Sequence, residues 1–152
     1  MSSLFDFVKN AGEKLFGGEA KEIEREEAKA DAMIAMVKRN NMQIEKLRLV
    51  FDDGVTTVTG EVTSQEEKEK IILLLGNTEG VSRVDDRIRV EKPAPQATMY
   101  TVKSGDSLSK TAKALYGDAM KYTVIFEANK PMLKDPNKIY PGQVLRIPPQ
   151  ES

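Results

Sequence analysis

Residues 100–117 read YTVKSGDSLSKTAKALYG, residues 125–130 read IFEANK and residues 139–148 read IYPGQVLRIP. Tyr100, Thr101 and Val102 favour a strand. Ser104-Gly105-Asp106 makes a turn, and Asp106 or Ser107 is placed to cap a helix whose stripe is Leu108, Ala112 and Leu115. Gly117 ends that helix. A second helix near residues 121–129 carries Tyr122, Ile125, Phe126 and Ala128, and the turn at Tyr140-Pro141-Gly142-Gln143 feeds a strand over 144–147. The pattern is strand, helix, helix, strand.

Upstream, KPAPQAT (92–98) has two prolines among small polar residues and reads as an extended linker. Residues 1–92 carry net charge −4 and residues 93–152 net +3. Before the linker, Leu47, Leu49 and Phe51 form a strand, Asp53-Gly54 turns, and Val55, Val58 and Val62 return among threonines 56, 57, 59 and 63. Ser64 opens a helix with Glu67 three residues on, a capping box, and Ile71, Ile72, Leu74 and Leu75 supply its buried face. Gly76 closes it, the loop 77–80 follows, and a strand covers 81–90. Residues 19–40 read as a preceding helix, acidic early and basic late, with Ile23, Ala30, Met33, Ile34 and Val37 buried. In front, Leu4, Val8, Ala11 and Leu15 have helical spacing, weakened at Gly12 by about 1 kcal/mol against alanine.

The fold class is therefore α+β: an α-β-β-α-β unit followed by a β-α-α-β unit, behind a short N-terminal helical segment. The expected limits are 1–18 for that segment, 19–92 for the first domain, 93–98 for the linker and 99–149 for the second domain.

The composition excludes several kinds of chemistry. The chain of 152 residues has no cysteine and no histidine, which removes disulfides, thiolate sites, Ser-His-Asp triads and the usual zinc ligands. A net charge of −1 argues against nucleic acid as a partner. No nucleophile–base pair, phosphate loop or metal-ligand spacing is present, so an enzyme is not expected. Asp52-Asp53 reads as a turn and Asp85-Asp86 as a solvated strand end, although alternation puts Val84, Asp86, Ile88 and Val90 on one face. The longest uncharged apolar run, Ile71 to Leu75, is too short for a membrane span, and the start lacks a secretory signal. The expected location is the cytoplasm and the expected state a monomer.

The motifs of residues 99–148 resemble a LysM domain. GVTTVTGEV (54–62) and EGVSRVDDRIRV (79–90), within residues 20–91, resemble a BON domain. In this order, behind LFDFVKNAGEKLF (4–16), they resemble the family of bacterial cytosolic potassium-binding proteins. That resemblance implies K⁺ as the ligand. It also implies that main-chain carbonyls of Val8, Ala11, Glu13, Gly76, Thr78 and Gly80, in FVKNAGEKL and LGNTEG, form the cage. Such donors suit a large, weakly hydrated monovalent ion, and glycines and helix C-termini help to present them. From the residues alone, the 76–80 loop reads as an ordinary helix C-cap and tight connection; the ion site is what the resemblance implies. The expected role is that of a K⁺ sensor or buffer that compacts and gains stability on binding the ion.

Two alternatives stand beside it. A LysM domain implies binding of N-acetylglucosamine in peptidoglycan, here between loops 104–107 and 129–132. The apolar N-terminal residues Leu4, Phe5, Phe7 and Phe16 suggest a membrane-surface anchor.

Overall fold

The computed structural model describes residues 3–8 and 22–149. In the first unit, α1 (Glu22–Arg39) precedes the hairpin of β2 (Glu45–Asp52) and β3 (Val55–Ser64). There follow α2 (Gln65–Gly76) and β4 (Arg83–Lys92). Ser64 caps α2, its hydroxyl accepting the Glu67 N–H at 3.1 Å. The other half of the capping box is replaced: the Glu67 carboxylate accepts the Gln43 N–H at 2.9 Å and ties the approach to β2 onto α2. The second unit is β5 (Thr98–Thr101), α3 (Leu108–Tyr116), a 3-10 turn (Ala119–Lys121), α4 (Tyr122–Ala128) and β6 (Val144–Ile147). Ser107, not Asp106, is the cap of α3, and Gly117 closes it in the left-handed conformation at φ 78°.

One expectation is overturned at the N-terminus. Ser3–Asp6 is a strand, β1, not a helix. It pairs antiparallel with β4 in a four-stranded sheet of order β1-β4-β3-β2, in which β3 and β4 run parallel. Backbone pairing decides this, because β1 covers hydrogen-bonding groups that β4 would otherwise leave open. Alternation then sends Phe5 into the core and leaves Leu4 59% exposed, the reverse of a Leu4–Val8 helical stripe. Residues 9–16 of the expected helical segment, and with them Phe16, lie outside the described residues.

α1 and α2 cover one face of the sheet, with Met33, Val37, Val58, Ile71, Ile72 and Leu75 in its core. Asp86 is a second correction: it is not solvated but 1% exposed. It lies on the inner face with Val84 and Ile88, and the Lys68 amine reaches it from α2 at 2.7 Å. A buried carboxylate needs such a partner. The outer face carries ion pairs, Arg83–Asp6 between β4 and β1 at 2.9 Å and Arg87–Asp85 within β4 at 3.2 Å.

The second unit has its own core of Val102, Leu108, Ala112, Ile125 and Leu145. The two units touch along α2 and β6. Residues 71–76 of α2 are all buried, because the sheet takes one side of the helix and the second unit the other.

Candidate functional site

The 76–82 loop connects α2 to β4. The last carbonyls of α2 are capped from within: Leu73 takes the Asn77 N–H at 2.9 Å, Leu75 takes the Thr78 N–H at 3.3 Å, and Leu74 takes the Thr78 hydroxyl at 3.2 Å. The Thr78 carbonyl accepts the Val81 N–H at 3.1 Å, and Gly80 turns the chain at φ 97°. Thr78 is 1% exposed, and its hydroxyl is already committed to α2.

The end of β1 lies against this loop. The Phe7 N–H donates to the Ser82 carbonyl at 2.9 Å. The Phe7 ring covers Gly76 so closely that a Cβ there would fall 2.0 Å from it, so any side chain at this position would displace Phe7. The structure thus brings Phe7, just past the end of β1, alongside the loop that holds Gly76, Thr78 and Gly80, while the next residue, Val8, is 48% exposed. Ala11 and Glu13 lie outside the described residues. Among the described residues, no group of three or more Asp or Glu side chains is placed to hold a metal ion.

Asn77, inside the loop, faces the opposite way. Its amide nitrogen donates to Leu73 O at 2.9 Å and to Val144 O at 2.8 Å, and its carbonyl oxygen accepts the Val144 N–H at 2.8 Å. Its main-chain carbonyl takes the Tyr140 hydroxyl at 3.3 Å. Asn129 makes the same arrangement two residues along β6: its amide donates to Ile125 O and Arg146 O, and its oxygen accepts the Arg146 N–H at 2.8 Å. Each asparagine follows a helix, bonds back to the carbonyl four residues earlier and fills part of the β6 edge that β5 leaves open. One comes from the first unit and one from the second.

A buried ion pair reinforces the contact. Arg146, 8% exposed, meets the fully buried Glu69 at 2.9 Å. Glu69 also accepts from Gln65 at 2.8 Å and from the linker N–H of Ala97 at 3.3 Å. Arg146 also lies 4.0 Å from the Glu66 carboxylate, so the opposite net charges of the two halves meet at this residue. None of Asn77, Glu69 and Arg146 was a candidate from sequence. The available signal was the unbroken run Ile71 to Leu75: apolar residues all round a helix call for cover on both sides.

The two loops expected to flank a sugar are differently placed. Loop 104–107 is held by Asp106, which accepts the Tyr100 hydroxyl and the Lys103 N–H. The Tyr100 hydrogen bond, seconded by the Lys103 N–H, lowers the Asp106 pKa from its ordinary value. In loop 129–132, Asn129 is buried, and Met132 packs against both cores with its sulfur 2.9 Å from the Asn77 amide nitrogen. Of the expected membrane anchors, Phe5 is in the core and Phe7 lies on Gly76. Among the described residues, no helix is long and apolar enough to cross a membrane.

Comparison with known proteins matches the LysM domain family over residues 100–148 and the BON domain family over residues 25–92. The potassium binding protein Kbp of Escherichia coli O6:H1 is 48% identical over 145 residues, covering 95% of this chain and 97% of its own. An uncharacterized protein of Deinococcus radiodurans is 35% identical over 139 residues, 84% of this chain and 54% of its own. An endolysin of Bacillus phage B103 is 31% identical over 86 residues, 57% of this chain and 30% of its own.

Proposed function

Because this chain belongs to the family of the potassium binding protein Kbp, with a BON domain followed by a LysM domain, we propose that it is a cytoplasmic, monomeric K⁺-binding protein without enzymatic activity. The ion is held by main-chain carbonyls of Val8, Ala11, Glu13, Gly76, Thr78 and Gly80. The observation that supports this is the meeting of Phe7, just past the end of β1, with the 76–82 loop, through the Phe7–Ser82 hydrogen bond and the Phe7–Gly76 contact. Carbonyl dipoles replace the water shell of K⁺ without the strong divalent attraction of clustered carboxylates.

Binding would be coupled to the LysM domain through Asn77. The Asn77 peptide separates the Gly76 and Thr78 donors, while its side chain grips β6 at Val144. An ion that orders the loop fixes the grip, and the closed arrangement of the domains is stabilised by mass action. A sensor or buffer of K⁺ follows from such linkage. The Met132–Asn77 contact turns one residue of the LysM loop 129–132 toward the BON domain and weighs against its use in glycan binding.

The test is titration of alkali-free protein with KCl, NaCl and MgCl₂, following thermal midpoint and hydrodynamic radius. A saturable rise with K⁺ alone, with a smaller radius, is expected. Equal, shallow responses to all three salts would refute K⁺ binding, and retention on peptidoglycan would then be measured.

A further inference from the structure

Lys29 lies on α1 at the same end of the sheet as the 76–82 loop. One turn before it, the Glu26 carboxylate accepts the Asp53 N–H at 3.2 Å and pins α1 to the β2–β3 turn. That turn is bonded to the loop exit, because the Gly54 carbonyl accepts the N–H groups of Ser82 at 2.8 Å and Arg83 at 3.2 Å. The Lys29 ammonium sits over the Phe51 ring, 5.0 Å from its centroid. It is also 3.9 Å from the point a Cβ on Gly80 would occupy. A cation is therefore stationed beside a carbonyl-rich loop by an aromatic face and two helix–turn–loop tethers.

We infer that Lys29 is a tethered cation that opposes K⁺ at this loop and sets the concentration at which the ion binds. The inference rests on the carbonyl site proposed above. An alkylammonium carries the same unit charge as K⁺. With the ion absent, it supplies positive charge at the loop; with the ion present, two like charges share a partly desolvated region, where their repulsion is far less screened than in water. The carboxylates of Glu26, Asp53 and Glu79 belong to the same end of the molecule, so the opposition is partial. A lysine that merely supported the fold would act with the opposite sign, since its loss would loosen the loop and weaken binding.

The experiment is a KCl titration at constant ionic strength, balanced with choline chloride, on the full chain and on Lys29→Gln, Lys29→Met and Lys29→Arg. Each variant's fold is checked by far-UV circular dichroism. Both neutral variants are expected to lower the K⁺ dissociation constant about tenfold, equivalent to about 1.4 kcal/mol, while Lys29→Arg stays within about twofold of the parent. If the parent saturates with K⁺ and both neutral variants bind equally or more weakly, the role of Lys29 is refuted and the site stands. If the parent shows no K⁺-specific response, both are refuted.

Discussion

Replacing Asn77 by alanine isolates the joint between the two domains. The substitution strands the Val144 N–H and C=O, each bonded to the Asn77 side chain at 2.8 Å in a residue only 5% exposed. Leu73 O keeps the Asn77 N–H, so the α2 cap survives. A buried polar group left without a partner costs about 1–3 kcal/mol, so two such groups weaken docking by about 2–4 kcal/mol after some relief by water. Each 1.4 kcal/mol is about tenfold in an equilibrium constant, so the domains should part some 30- to 1,000-fold more often. Amide hydrogen exchange supplies an internal control. The Val144 amide should lose protection by that factor, while the Arg146 amide, held by Asn129 from within the LysM domain at 2.8 Å, should not. Asn129→Ala should reverse the pattern. Unchanged Val144 protection in Asn77→Ala, or equal losses at Val144 and Arg146, would refute the clamp. The K⁺ concentration needed for compaction should rise in step with the Val144 exchange rate.

Gly76→Ala forces a methyl group to within about 2 Å of the Phe7 ring; it should expel Phe7, cost about 1–3 kcal/mol in chemical denaturation and weaken K⁺ binding in the same titration. Glu69→Ala leaves the Arg146 guanidinium almost buried and short of its main partner, and should destabilise the docked protein by about 3–5 kcal/mol in urea unfolding; Glu69→Ala with Arg146→Met should recover part of that loss. Asp106 is held below its ordinary pKa by the Tyr100 hydroxyl and then by the Lys103 N–H. Its native-state pKa is depressed, so its stabilising contribution is complete above the ordinary carboxylate value and is lost as pH falls through the lowered one. Asp106→Asn should therefore flatten the acid limb of the stability–pH curve below about pH 4, and the Asp106 carboxyl carbon should titrate below the ordinary aspartate value by NMR.

Much of the fold is written in local pattern. Ser64 and Ser107 announce their helices because a hydroxyl at the cap meets an N–H three residues on, whatever lies further away. Asp53-Gly54 announces the hairpin because residues 53 and 54 both take positive φ, at 46° and 81°. The site is less legible. Leu4 and Val8 obey a helical period, yet the open edge of β4 made a strand the better use of that backbone, and parity then exchanged the roles of Leu4 and Phe5. Asp86 looked solvated beside Asp85 because its partner, Lys68, is distant in sequence and arrives only when α2 crosses the sheet.

The sequence by itself determined the order of elements from α1 to β6, the two modules, their caps and turns, and the absence of cysteine and histidine chemistry. These follow from interactions within a few residues, where periodicity and turn chemistry have one outcome. Tertiary structure alone decided that Phe7 would lie on Gly76, that the 76–82 loop would present Asn77 to β6, and that Glu69 would meet Arg146 across 77 positions of chain. Long-range partners of this kind are selected by which buried polar groups remain to be satisfied once the cores have packed, and that choice exists only in three dimensions.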